Sequence, residues 1–309
     1  MKPIVILTTK DDLHALIVQK RLLDKYNSPC SIINTDDLCG KIKVSIDVNK
    51  SKFSHAPDST LDISKVGAVW FRRIGNKQRA SFENPAQSDT ASNDWRSTIL
   101  GAFLRDFEGA WVSHPISTFL AENKITQLCK AKEAGLTIPD TLISNSPEEI
   151  RRFFNINHGG VIAKPLGGTR LEQIETINIS DANLLNEESI LAAPIIYQQL
   201  IEGTKHLRIN IFGSRFFTFL LESQDLDWRS NYDLKYKLYD LPNSITQKLT
   251  DLLHSLNLKM GIVDCKLDKD GNIYFLEINP QGQFLFLEPL AGTPLSEHFA
   301  DFLFHQANI

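Results

Sequence analysis

The stretch Gly261–Gln283, GIVDCKLDKDGNIYFLEINPQGQ, decides how this chain is read. Two runs of strand-forming residues flank Asp270-Gly271, the strongest two-residue hairpin signal a sequence offers. A turn at those two residues sets Asp264 directly opposite Glu277, with Cβ atoms roughly 5 Å apart. Asn279 shares the face of Glu277, because strand side chains alternate. Facing like charges are destabilising, and a cation between them reverses the sign. Two carboxylates and a side-chain carbonyl form a hard-oxygen set suited to Mg²⁺. The plain alternative is a surface hairpin with solvated acids, yet these acids sit among Ile262, Val263, Phe275, Leu276 and Ile278. A calcium loop is a second alternative. With Lys266 in first place, Asp268, Asp270, Gly271 and Glu277 fall third, fifth, sixth and twelfth. Its first position must be a ligand, and here it is a lysine between strand-like flanks.

The bulk numbers bound the rest. A chain of 309 residues suggests two or three domains. Its 42% hydrophobic and 23% charged residues are those of a soluble globular protein. A net charge of −4 leaves no global basic field for nucleic acid or a membrane surface. Cys30, Cys39, Cys129 and Cys265 are scattered without a CxxC, as expected of reduced thiols in a cytoplasmic protein. The eight histidines show no zinc spacing. The first apolar run, Ile4–Leu7, is too short for a signal peptide or a membrane span.

Outward from the hairpin, the N-terminal third reads as an open α/β pattern. Pro3–Thr8 is a buried strand, Asp11 or Asp12 caps a helix, and Ser31–Asn34 and Ile42–Val48 are further strands. No GxGxxG follows the first strand, which argues against a dinucleotide site. Val66–Ile74 (VGAVWFRRI) is a strand ending in Arg72 and Arg73, which point to opposite faces. One reaches an anion at the strand end and the other is structural, or the two are a plain surface pair. Gly75–Thr90 reads as a loop. Trp95, Ile99, Phe103 and Phe107 mark a packed helix over Asp94–Phe107.

A helix follows Ala121 and ends at Gly135, with Lys124, Gln127 or Leu128, and Ala131 at helical spacing. Taken alone, Lys124 reads as a solvated helix lysine. The strand Val161–Lys164 leads into a glycine loop, Leu166–Arg170, where Gly167 and Gly168 let the backbone approach a ligand and form an anion nest. Lys164 adds a point charge; an ordinary hairpin turn is the competing reading. Pro194–Gly203 (PIIYQQLIEG) runs from an apolar strand into a polar stop. In Lys205–Phe212, His206, Arg208 and Asn210 alternate with Leu207, Ile209 and Ile211, giving a polar face toward a cleft. Arg208 there either holds a phosphate or is simply solvated. Leu226–Leu234 (LDWRSNYDL) clusters more polar chemistry than a turn requires. A helix over Ile245–Leu256 precedes the hairpin, and an amphipathic helix ends the chain.

A helix lysine, a lysine before a glycine loop, a strand-to-linker QQLI, an Arg-bearing polar strand and D…ExN on a hairpin occur in that order. This constellation resembles the ATP-grasp carboxylate–amine ligases over most of the chain, most strongly from Val66 to Pro289. VIAKPLGGT, YQQLIEG, RSN and DCKL…FLEINP are similar to the glutamate ligase that modifies a ribosomal protein. VWFRR, WVSHP, NKITQLCKAKEAGLTIPDT, DWRSN and EINPQGQF are more similar to the microviridin-type (graspetide) ligases that cyclise ribosomally made peptides.

The resemblance implies an α/β (α+β) ATP-grasp fold in three domains. These are an N-terminal α/β domain at 1–118, a central lid domain with the glycine loop at 119–196, and a catalytic domain with the metal hairpin at 197–309. ATP would lie in the cleft between the last two. Adenine would meet Gln199, Leu200 and Ile201, and the phosphates would meet Lys124 and Lys164 beneath Gly167 and Gly168. Asp264, Glu277 and Asn279 would hold Mg²⁺. Arg208, Arg229 and Asn231 would serve catalysis at the γ-phosphate and the acyl phosphate, and Arg72 and Arg73 would bind substrate. One departure is His206, which stands where relatives often carry an acid.

The implied reaction activates Asp or Glu side chains of a precursor peptide as acyl phosphates. It then joins them to Ser or Thr hydroxyls, or to Lys amines, as macrocycles. The implied partners are a precursor peptide with a leader segment and a second copy in a homodimer, with neither nucleic acid nor membrane. Two alternatives stay open: a ligase adding a free amino acid to a peptide or small acid, and a non-catalytic nucleotide- or calcium-binding regulator.

Overall fold

The computed structural model describes residues 1–47, 50–56, 59–80, 82–167, 174–228 and 234–309. They form two compact units, Met1–Pro115 with Leu258–Met260 and Gln281–Ile309, and Ile116–Asn257 with Gly261–Pro280.

The first unit starts with β1 (Ile4–Thr8), whose every residue is buried, as the continuous apolar run of a parallel strand demands. Asp12 then caps α1 (Leu13–Tyr26), its carboxylate accepting from the His14 N–H at 3.0 Å. The helix stops at Asn27, whose φ of 48° is left-handed. β2 (Cys30–Asn34) returns parallel to β1. A small antiparallel sheet follows, β3 (Ser45–Asp47), β4 (Lys50–Ala56) and β5 (Ser59–Leu61). β6 (Ala68–Phe71) pairs parallel with the other side of β1, and β7 (Ala110–Val112) completes the order β2-β1-β6-β7.

Between β6 and β7 lies α2 (Pro85–Asp106). Its N-terminus corrects the expected loop over Gly75–Thr90. The Asn84 side chain accepts from Ala86 N–H, and Pro85 occupies the first helical turn, where no N–H is needed. The opening turns carry polar residues on an exposed face, so no apolar period announces them. Ile99 and Phe103 face the core with Val5, Leu7, Val69 and Phe71, as their spacing predicts.

The second unit opens with α3 (Pro115–Glu122) and α4 (Lys124–Glu133), the latter capped by Asn123. A four-stranded antiparallel sheet follows. It comprises β8 (Thr141–Ser144), β9 (Val161–Lys164), β10 (Ile177–Asn178) and β11 (Ile195–Gln199), in the order β10-β9-β11-β8. Helices α5 (Pro147–Ile156), α6 (Asp181–Leu185) and α7 (Glu187–Ala192) join its strands, and Ile150, Val161, Ala163, Ile190 and Tyr197 form its core. The second sheet has the order β14-β13-β12-β15-β16. Its strands are β12 (Lys205–Phe212), β13 (Arg215–Glu222), β14 (Tyr236–Leu238), β15 (Met260–Leu267) and β16 (Ile273–Asn279). Helix α8 (Asn243–Ser255) precedes β15 and buries Leu249, Leu252 and Leu253.

The chain then rejoins the first unit through α9 (Leu287–Ala291) and α10 (Leu295–Ala307). The segment 197–309 therefore contributes to both units. Phe299 of α10 packs edge-on against Trp70 with centroids 4.5 Å apart, and Phe304 stacks on Tyr26 of α1 at 3.8 Å. Among the described residues, no helix is long and apolar enough to cross a membrane.

Candidate active site

The central hairpin closes differently from the expectation, yet delivers the expected pair. Asp268 N–H donates to the Asn272 carbonyl at 3.1 Å, and Gly271 N–H donates to the Asp268 carbonyl at 3.2 Å. With Gly271 at φ 84°, this is a three-residue loop, Lys269–Gly271, rather than a two-residue turn. The Asp268 carboxylate locks it by accepting from Asp270 N–H and Asn272 N–H at 2.9 and 2.8 Å. The tip pairs Leu267 with Ile273 and Cys265 with Phe275, one residue out of the expected register. A β-bulge then leaves Leu276 unpaired and restores the register, so Asp264 does face Glu277.

Each acid has an internal counter-ion. Arg208 Nη1 donates to both Asp264 oxygens, at 2.9 and 2.7 Å. Both residues are buried at 7% exposure. The Lys124 ammonium, at the first turn of α4, pairs with Glu277 Oε2, and Asn279 Nδ2 donates to Oε1 of the same carboxylate at 3.0 Å. Burial would raise the Glu277 carboxyl, but Lys124, Asn279 and the more distant charge of Lys164 together hold it well below the usual carboxylate range. Lys164, at the end of β9, donates to Gln198 Oε1 at 3.0 Å, and Gln198 Nε2 donates to Thr141 at 2.8 Å. The Arg208 guanidinium also lies over the Trp228 ring, 5.9 Å from its centroid.

The structure thus brings Lys124, Lys164, Arg208, Asp264, Glu277 and Asn279 together within one unit. Two carboxylates and an amide carbonyl fit a hard divalent cation. Three basic side chains exceed the two acids, leaving positive charge for a polyphosphate. Leu200 and Ile201 line a cavity of about 560 Å³, together with Gly203, Lys205 and Lys266. Gln199, just before them, ends β11 and is tied to Asp140 by its N–H at 2.8 Å. Gly167 is exposed beyond β9. Gly168, Arg229 and Asn231 lie outside the described residues.

His206 is buried beside Lys266, and its Nε2 finds no partner among the described residues. Burial, reinforced by Lys266, pushes its pKa down to about 4, so the imidazole is neutral. Arg72 and Arg73 belong to the first unit. Arg72 is 1% exposed, with Nε 3.3 Å from Asp12 and Nη1 donating to the Gln281 and Gly282 carbonyls. Arg73 is half-buried.

Sequence reasoning passed over two supporting residues. Gln198 holds Lys164, and Gln127, fully buried, bonds the backbone of Ile278. A glutamine inside an apolar strand and one a single turn beyond a candidate lysine were the available signals.

No family model matches this chain, and no curated protein matches its sequence. Solved structures do match it. The macrocyclase MdnC from Microcystis aeruginosa MRC, bound with precursor peptide MdnA, aligns over 98% of this chain and 99% of its own. Identity is 27% and the TM-score 0.88. A RiPP-associated ATP-grasp ligase of Chryseobacterium gregarium, in complex with ADP and a leader and core peptide, is 25% identical with a TM-score of 0.89. That alignment covers 99% of this chain and 97% of the other. The macrocyclase MdnB, also from Microcystis aeruginosa MRC, is 25% identical over 98% and 99% of the two chains, with a TM-score of 0.80. Over nearly its whole length, this chain is thus similar in fold to macrocyclases and to an ATP-grasp ligase that act on ribosomally made peptides.

Proposed function

We propose that this chain is an ADP-forming ATP-grasp ligase that closes macrocycles on a ribosomally made precursor peptide. The observation that carries the reading is the facing pair Asp264 and Glu277, matched by Arg208, Lys124 and Lys164, on a fold shared end to end with peptide-bound ligases.

The chemistry follows from the side chains. A peptide carboxylate is a poor electrophile until its oxygen attacks the γ-phosphorus of ATP, giving an acyl phosphate and ADP. Charge on the transferred phosphoryl is spread, so positioning and cationic clamps do most of the catalysis. Lys124, Lys164 and Arg208 supply the clamps, with Arg229 and Asn231 assigned beside them. Asp264, Glu277 and Asn279 would hold Mg²⁺, which neutralises phosphate charge when bound. Gln199, Leu200 and Ile201 would receive the adenine edge, and Gly167 and Gly168 would cover the phosphates and exclude water. A Ser or Thr O–H, or a Lys N–H, then attacks the acyl carbon. The new C–O or C–N bond forms, phosphate leaves and the nucleophile's proton is lost.

Of the two arginines at the end of β6, we assign substrate contact to Arg73, because Arg72 is spent inside its own unit. We retain 1–118, 119–196 and 197–309 as functional segments, and propose a homodimer working in the cytoplasm on a leader-bearing precursor.

The test is co-expression with each short peptide, rich in Ser, Thr or Lys and in Asp or Glu, encoded in a neighbouring reading frame. Macrocyclisation lowers the peptide mass by about 18 Da per link, one water equivalent, with one ADP released for each. Glu277→Gln should abolish both signals. A mass gain that depends on a free amino acid would instead show intermolecular ligation, and an unchanged mass without ADP would sink both.

A further inference from the structure

β16 is an edge strand, so the backbone groups it turns away from β15 need partners from elsewhere. Phe275 N–H donates to the Thr137 carbonyl at 2.8 Å. At Ile278, between Glu277 and Asn279, the partner is a side chain. Gln127 Oε1 accepts from Ile278 N–H at 2.8 Å, while Nε2 donates to the Ile278 carbonyl at 3.4 Å and to the Ala121 carbonyl at 3.0 Å. Gln127 is completely buried. An amide offers a donor and an acceptor side by side, as a neighbouring strand would. Glutamate lacks the donor, and leucine lacks both.

Gln127 stands three residues after Lys124 on α4, on the same face and one turn along. Two side-chain bonds to one residue tie this turn of the helix to that point of the strand. The Lys124 ammonium thereby comes to rest on Glu277. A glutamine that merely covered the edge could do so anywhere along β16. This one holds the residue between Glu277 and Asn279, two of the three proposed metal ligands, one turn from the proposed phosphate lysine.

We propose that Gln127 is a positioning residue of the nucleotide site, setting Lys124 against the Glu277–Asn279 strand end. The proposal rests on the ligase reading above. Misplacement by about 1 Å at such a site can cost about a hundredfold, so the tie has measurable consequences.

The test is a double-mutant cycle on full-length protein, read by calorimetric binding of ADP with Mg²⁺ and by melting temperature. Gln127→Leu should weaken ADP–Mg²⁺ binding about tenfold in the wild-type background. In a Lys124→Met background the same change should cost less than about twofold, because the lysine it positions is gone. The melting temperature should fall equally in both backgrounds. If Gln127→Leu does not fold, Gln127→Met, which keeps the length without donor or acceptor, gives the same readout. Equal losses in both backgrounds, or none in either, overturn the proposal while the ligase reading stands. A wild-type chain that binds no ADP–Mg²⁺ overturns both.

Discussion

Among the described residues, two arginine–aspartate pairs have nearly inaccessible side chains, one in each unit, and their surroundings differ. Arg72 and Asp12 lie 3.3 Å apart in the first unit, with no second carboxylate among the described residues facing Asp12 across a strand pair. Asp12 also accepts from the Thr8 hydroxyl at 2.6 Å and from His14 N–H, while Arg72 reaches the main-chain carbonyls of Gln281 and Gly282. All these partners belong to one compact unit, so the pair ties its strand ends and its C-terminal return together. Arg208 and Asp264 are somewhat less buried, and a second carboxylate, Glu277 with its own partner Lys124, stands directly opposite Asp264. Burial and pairing alone therefore do not mark a functional site. The second like charge across the ladder is what the proposed site adds.

The largest expected effect separates the two pairs. Removing one partner of a buried pair costs about 3–5 kcal/mol, because it strands the other charge. Arg72→Met should lose that much in denaturant unfolding, and added Mg²⁺ should restore none of it. Arg208→Met should also lose stability. Mg²⁺ should recover much of the loss there, since Asp264 and Glu277 can share a dication once the guanidinium is gone. Mg²⁺ rescuing both variants, or neither, would break the comparison.

The same contrast explains what could be read in the sequence. The facing acids were legible because strand alternation and a turn signal are local. The bulge at Leu276 was not, because an extra residue in the apolar run Ile273–Leu276 carries no side-chain signature. The expected register was thus reached through two offsetting shifts, a longer loop and a bulge. Lys124 and Lys164 were legible only through their order along the chain; neither is distinctive alone. Alternation said that Arg72 and Arg73 diverge, but not which one turns inward. That depended on Asp12 and on Gln281–Gly282, which are distant in sequence. The packing of α10 against β6 and α1 was hidden for the same reason: an amphipathic helix states that it has a partner, not which sheet supplies it.

A smaller effect lies in acid, where His14 in the first unit and His206 in the second are the most strongly shifted histidines. His14 Nε2 accepts from the N–H groups of Phe284 and Leu285 at 3.0 and 3.3 Å. Burial, then the nearby Arg72, pushes its pKa down to about 3. His206 is pushed down to about 4. For a base whose folded pKa is depressed, the unfolded chain binds more protons. Stability is therefore complete above the ordinary value near 6.5 and falls as pH drops toward the folded value. Each histidine should cost about 2 kcal/mol between pH 6.5 and pH 5. His14→Leu should flatten that slope by one share. A slope unchanged by the substitution would show that His14 is not held neutral by its surroundings.

The smallest effect tests how much slack the β15–β16 pair has. Gly261 on β15 lies against Ile278, and a Cβ placed there would come within 2.6 Å of Ile278 Cδ1 and 3.0 Å of Cγ1. The obstacle is the far end of a side chain, so Gly261→Ala should be accommodated by a rotamer shift costing about 1 kcal/mol. Ile278, however, is the residue whose backbone Gln127 grips, between Glu277 and Asn279. If that grip fixes the backbone, the side chain should yield alone, and ADP–Mg²⁺ affinity should change less than stability does. If affinity falls by more than the stability loss predicts, the strand itself has moved. The placement of Glu277 and Asn279 on their strand would then depend on packing around Ile278 rather than on the Gln127 amide.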